Sequence, residues 1–263
     1  MKCFRYLVVT IMIFGAILTS CDKNEDNSDV EDPLYPTTIY SLSEEILLQM
    51  RNDFAQRNPN VYTTLNQFGF CAISIGGGGG SPSGFTKEEA IAAVREFVAR
   101  NPEYTGVSNP NDLQFRSITS TVGYNDALFW HLGTENQTIN GIEVENTGIL
   151  FHTHNWKLVS CYGNHFPEVY VPNKFNFNAE QSQSLLLGKE IIHLGWGGPY
   201  SAGIVTTEHL QQSTAKLIIV PITTDEKIEL RVAWKINVIP LDYIYEIDVM
   251  TGEIIREMST IIS

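Results

Sequence analysis

Basic side chains are scarce in this chain: 17 Lys and Arg stand against 30 Asp and Glu over 263 residues, a net charge of −13. Two of the bases, Lys2 and Arg5, lie in the first 20 residues, which hold no acid. The remainder therefore carries 15 bases (17 minus 2) against 30 acids, a net of −15. Such a surface repels phosphate backbones, so nucleic acid is not an expected partner. Cysteine is scarcer still, at four residues. The apolar run from Tyr6 to Leu18 is shorter than the about 20 residues that cross a bilayer. No His-Glu-x-x-His occurs, which excludes the helical signature that pairs two zinc ligands with a general-base glutamate. The acidic residues after Cys21 lack the glycine and spacing of a calcium loop.

What is present begins with a leader. Lys2 and Arg5 form a basic start, Tyr6 to Leu18 an apolar core, and Leu18-Thr19-Ser20-Cys21 looks like a bacterial lipobox. Lipid on Cys21 would anchor the chain by burial of methylenes, several acyl chains being needed for a stable hold. The alternative is an ordinary secretory signal that leaves Cys21 as a thiol. The acidic stretch Asp22 to Asp32 reads as a solvated tether and resembles export signals of surface lipoproteins in Bacteroides-like bacteria. The expected location is therefore the bacterial outer membrane, with exposure at the cell surface. Cys3 leaves with the leader and Cys21 takes lipid, so Cys71 and Cys161 remain. An oxidising exterior permits a disulfide between them, and two buried thiols are the other outcome.

With 43% hydrophobic and 18% charged residues the rest is a folded chain, not a disordered one. Ser41-Leu42-Ser43-Glu44 predicts a helix with Ile46, Leu47, Met50 and Phe54 on its apolar face, ending before Asn58-Pro59. Thr86-Lys87-Glu88-Glu89 predicts a second, carrying Ala90, Ile91, Val94, Phe97 and Val98 and stopping at Asn101-Pro102. Both run from Glu-Glu to Arg-Asn-Pro, a coincidence of amphipathic helices. Phe68 to Ile75 reads as a strand. The Gly-rich run after it mimics a phosphate loop, but Phe85 stands where the lysine must be, so a linker is expected.

The pivot of the chain is Gln137 to Val144, with Asn140-Gly141 the strongest short hairpin signal. Strands flank it at Leu128–Leu132, Gly148–His154 and Lys157–Cys161, predicting an antiparallel meander. Pro167 to Pro172 marks a junction. Asn178 with Gln181 caps a helix through Leu187, and Gly195 to Pro199 is a loop. Lys216 to Val220 is a strand. Leu230, Val232, Trp234, Ile236 and Val238 alternate strictly, as do Tyr243, Tyr245, Ile247 and Val249. Each set presents one apolar face. A final strand follows Thr251-Gly252. The fold class is α+β, two domains each with an antiparallel sheet packed by helices. Residues 1–20 are the signal peptide, 21–36 the tether, 37–170 the first domain and 171–263 the second.

Chemistry-bearing clusters are few. His152 and His154 share a face of one predicted strand, and His131 lies on a neighbour. Sequence does not fix the register of these strands, and no metal ligand is assigned. Cys161 and His165 are near each other without a nucleophile's surroundings, and Glu143 and Glu145 alternate with Val144 as on a solvent-facing edge. No catalytic residue and no cofactor is expected. Among the tryptophans, Trp130, Trp156 and Trp234 read as packing residues, and Trp196, in its Gly-rich loop, is the candidate for exposure and binding.

Ala93 to Gly163 resembles the fungalysin/thermolysin propeptide (FTP) domain in its helix ending near Phe97-Val98, its Thr105-Gly106-Val107 segment, Leu113 opening a strand, Gln137 to Val144, and a strand with His152. Lys216 to Arg256 resembles a PepSY (cystatin-like) domain through its Trp234 strand and the ending Tyr245-x-Ile247-Asp248-x-x-Thr251-Gly252-Glu253-Ile254. Together they are similar to the prosegment of a secreted thermolysin-like metalloprotease, with no catalytic domain following. The resemblance implies a non-catalytic, lipid-anchored envelope protein that binds another polypeptide, as chaperone or inhibitor of such a protease. The alternatives are a surface module for another protein or a glycan, and the remnant of a protease precursor.

Overall fold

A computed structural model describes residues 34–59, 61–76, 85–122, 128–154 and 157–261. Cys21 with its lipobox, the tether up to residue 33, most of the Gly-rich run, and Trp156 lie outside these residues. The described residues belong to one compact unit, Asp32–Ser263.

In chain order, strand β1 (Thr37–Tyr40) precedes helix α1 (Glu44–Arg57), strands β2 (Val61–Leu65) and β3 (Cys71–Gly76), and helices α2 (Lys87–Arg100) and α3 (Pro102–Thr105). Strands β4 (Phe115–Val122), β5 (Leu128–Thr134), β6 (Thr138–Ile139), β7 (Ile142–Val144), β8 (Leu150–His154) and β9 (Lys157–Tyr162) follow. The rest holds α4 (Ala179–Ser184), β10 (Glu190–Gly195), β11 (Gly198–Ile204), α5 (Thr207–Gln211), β12 (Thr214–Thr223), β13 (Lys227–Val238), β14 (Tyr243–Asp248) and β15 (Ile254–Ser259). The class is α+β.

Ser43 caps α1, its side chain accepting from the Ile46 amide, and Thr86 and Glu89 close a reciprocal box on α2. Leu47 and Phe54 are buried as expected, whereas Ile46 is exposed. The hydrophobic spacing placed Ile46 one position too far round the helix to reach the core. The shared Arg-Asn-Pro endings have a physical counterpart. Asn58 and Asn101 are both buried and exchange side-chain hydrogen bonds, Asn58 Nδ2 to Asn101 Oδ1 at 2.7 Å and Asn101 Nδ2 to Asn58 Oδ1 at 3.1 Å. Each also donates to its own helix, to Phe54 O at 3.0 Å and Phe97 O at 2.7 Å. The two helix ends are thus locked amide to amide, with the donors satisfied where water is absent.

Both helices contribute to a core with the inner face of the four-stranded antiparallel sheet β4-β5-β8-β9, around Phe54, Phe97, Tyr104, Leu132 and Phe151. Phe85 joins this core, and its carbonyl accepts the Trp130 indole N–H at 3.0 Å. The phosphate-loop mimic therefore ends on a packing residue.

β5, β8 and β9 form the meander that the sequence predicts. The turn at Asn140-Gly141, with φ of 51° and 81°, joins β6 to β7 and not β5 to β8. The segment between β5 and β8 leaves the meander, and β7 pairs in parallel with β12, Ile218 opposite Glu143 and Ile219 opposite Val144. Its neck is fastened by Ile149 N donating to Thr134 Oγ1 at 2.8 Å, while the Gln137 side chain brackets the Phe166 backbone at 2.7 and 2.9 Å. Glu145 is not on a solvent edge. It is buried between Lys235 and Arg256, because the sheet it joins supplies cations there.

The larger sheet runs β15-β14-β13-β12-β7-β6, with β1 also on β13. Its strands come from both sides of position 170, so a division into 37–170 and 171–263 cuts through hydrogen-bonded neighbours. On β13, Leu230, Val232, Ile236 and Val238 are buried as their alternation predicts, and Ala233 is buried on the opposite face. Trp234 is half-buried, its indole donating to Phe177 O at 3.0 Å. Asp248 closes the turn after β14 by accepting from the Met250 and Thr251 amides at 2.8 and 3.0 Å and from Tyr35 Oη at 2.8 Å. The helix capped by Asn178 is present with its Gln181 box but stops at Ser184, short of Leu187.

Candidate functional site

The loop expected at 195–199 is the tip of a hairpin. Gly195 pairs with Gly198, leaving Trp196-Gly197 as a two-residue turn, and Gly198 takes φ of 104°, which glycine alone adopts without strain. Along β10 the side chains alternate. Ile191 and His193 point into a core with Leu186, Leu241, Tyr243 and Tyr245, while Ile192 and Leu194 face outward, Leu194 at 76% exposure. Trp196 at the tip is 97% exposed, and Tyr200 and Ile204 on β11 are exposed as well.

The root of the hairpin is held firmly. His193 is buried, with Nδ1 2.8 Å from Ser259 Oγ and Nε2 3.0 Å from Leu241 O. Gly195 lies so close to the Tyr200 ring that a Cβ there would sit 3.1 Å from it. The tyrosine thus covers the strand end next to the indole. The arrangement is a rigid ribbon whose outer side and tip are apolar and aromatic, the composition of binding hot spots. Sequence marked Trp196 but missed the strands on either side, since β10 turns His193 inward between outward apolar residues and a bulge at Ala202 breaks the alternation of β11.

Cys71 and Cys161 are brought together. Both are buried thiols, and the hydrogen bond that the Cys161 thiol gives to Cys71, then burial, raise Cys161 well above its ordinary value. Cys161 and His165 are not partners. His165 sits under the Gly106 turn with Nε2 buried and unpaired, and burial lowers it to about 4.

The histidines of the meander separate. His131 and His152 lie directly opposite each other on β5 and β8, rings 4.6 Å apart at 81°. His131 Nε2 is 2.8 Å from Thr121 Oγ1, and His152 Nδ1 is 2.8 Å from Ser160 Oγ. Burial, then the neighbouring His131, lowers His152 below its ordinary value. His154 shares the β8 face of His152 but sits opposite Phe129 and is engaged there; it stacks on Phe129 at 4.5 Å and hydrogen-bonds Leu128 O at 2.8 Å.

The remaining charged cluster holds the larger sheet together. Arg256 grips Glu246 with Nε and Nη2 at 2.7 Å each and also reaches Glu145, while Lys235 bridges the two carboxylates. Burial holds Glu246 above the usual carboxylate range against the opposing pull of Arg256. A cleft of about 280 Å³ lies beside the β5–β6 connection, lined by Asp112, Glu135, Asn136, Gln137 and His165 among others. Among the described residues no helix is long and apolar enough to cross a membrane.

The chain matches no family model and no curated protein. Among solved structures it is similar to the Bacillus megaterium YpeB C-terminal domain, with 10% identity and a TM-score of 0.33 over 83% of this chain and 98% of that one. A likeness this slight carries no argument about function.

Proposed function

We propose that the protein is a non-catalytic, lipid-anchored envelope protein that binds another polypeptide. The observation that carries the reading is the hairpin Glu190–Ile204, which presents Leu194, Trp196 and Tyr200 to solvent from a buried, hydrogen-bonded root. The paired backbone beneath these side chains is already ordered before binding, and aromatic anchors concentrate binding energy. A glycan platform needs polar groups converging beside the indole. Here the neighbours across the ribbon are Leu194 and Pro199, which favours an apolar protein surface. The resemblance to FTP and PepSY prosegments narrows the partner to a secreted thermolysin-like metalloprotease, for which the protein acts as chaperone or inhibitor.

The test is recovery of protease activity on refolding, and its inhibition once folded, with such an enzyme from the same envelope and the full chain present. Wild-type protein is expected to change one or both, and Trp196→Ala combined with Leu194→Ser to abolish the effect while leaving the unfolding curve unchanged. Equal behaviour of wild type and double variant would remove the hairpin from the account. No effect of the wild type on refolding or activity would remove the protease.

A further inference from the structure

We propose that His131 and His152 form a two-histidine binding site for a divalent transition-metal ion on the outer face of the β4-β5-β8-β9 sheet. Their cross-strand register places the two imidazoles face to edge without any intervening residue, ring centroids 4.6 Å apart. Two imidazoles sharing one ion at a right angle, with metal–nitrogen bonds of about 2.1 Å, have centroids about 4.5 Å apart. The spacing set by the two strands is thus close to that of two rings sharing one ion.

The hydroxyl partners supply the second requirement. A ligating histidine needs one ring nitrogen free as a lone-pair donor while the other N–H is held by an oxygen. When His131 Nε2–H donates to Thr121 Oγ1 and His152 Nδ1–H donates to Ser160 Oγ, both at 2.8 Å, the lone pairs fall on His131 Nδ1 and His152 Nε2. These are the tautomers of neutral rings. Thr121 and Ser160 flank the pair on the two outer strands, so a ring on each inner strand is buttressed by a hydroxyl from its neighbour.

Among the described residues no three His, Cys, Asp or Glu side chains gather into a metal cage. The described residues therefore supply two ligands, the other positions being left to water. Imidazole nitrogen suits Cu²⁺, Ni²⁺ and Zn²⁺, not Mg²⁺ or Ca²⁺, and Cu²⁺ should bind tightest of the three. The site owes nothing to the hairpin and stands or falls separately from the proposed function.

The experiment is calorimetric titration of the full-length protein with Zn²⁺ near neutral pH, alongside paramagnetic resonance of the protein with one equivalent of Cu²⁺. One Zn²⁺ per chain is expected, with the Cu²⁺ spectrum split by two imidazole nitrogens. His131→Asn and His152→Asn should each abolish the Zn²⁺ transition and remove one nitrogen from the Cu²⁺ spectrum. Ser160→Ala leaves both rings in place and should weaken binding about tenfold. Absence of Zn²⁺ binding in the wild type would overturn the proposal, as would undiminished binding in either asparagine variant. A Cu²⁺ spectrum without the two-nitrogen splitting would also overturn it.

Discussion

Asn101 and Asn58 illustrate how a single side chain holds two elements at once. Each amide satisfies its own helix end and the other's amide in a site closed to water. Asn101→Ala removes a cap and strands a buried partner, so chemical denaturation should show a loss of about 2 to 3 kcal/mol. Asn58→Ala should cost a similar amount, and the double variant clearly less than the sum, because each single change already breaks the shared pair. His165 makes a prediction in pH. Its folded value of about 4 lies below the ordinary 6.5, so the unfolded chain binds the proton first as pH falls. The stability from the neutral ring is complete above pH about 6.5 and is lost progressively as pH drops through about 4, a difference of about 3 kcal/mol. His165→Gln should flatten that part of the curve relative to wild type, measured as urea midpoints across the range.

At the scale of elements, Cys71 and Cys161 join β3 to β9, strands of two different sheets. Oxidation of the purified protein with a mild disulfide reagent should consume both thiols by mass spectrometry. It should also raise the denaturation midpoint, a loop of about 90 residues being worth about 4.6 kcal/mol in the chain-entropy account. Cys71→Ser should remain unaffected by the same treatment. The sequence made these two positions legible as a pair, but their contact depends on the packing of β3 beside β9, which no local pattern encodes. Helix α2 was legible almost to the residue, since its Thr86 box, apolar spacing and Asn101 stop all act within one or two turns. The faces of β13 were legible for the same reason. The destination of β7 was not. Alternation of Glu143, Val144 and Glu145 tells which side chains share a face, yet a parallel partner more than 70 positions away, with Lys216 and Lys235 beside it, is a long-range fact. The His131–His152 juxtaposition was hidden likewise, because the register of two strands cannot be read from either strand alone.

For the whole molecule, the larger sheet ties segments from both halves, and the exposed ribbon is a separate two-stranded sheet packed on its β13 and β14. A lipid on Cys21 would hold that ribbon near a membrane through a short acidic tether. Labelled palmitate should be incorporated by the wild type and lost in Cys21→Ser, with the variant recovered in the soluble fraction after cell breakage. Retention of the variant in membranes would show that something other than acylation holds it there.

Tyr35, whose hydroxyl meets Val232 O at 3.1 Å, lies 197 positions away from it along the chain, and Thr37 beside it pairs with Leu230. A polypeptide delivered amino end first therefore carries its opening strand as an orphan until nearly everything else has arrived. Native closure of this edge becomes a late event of synthesis, one long loop closed after the shorter ones.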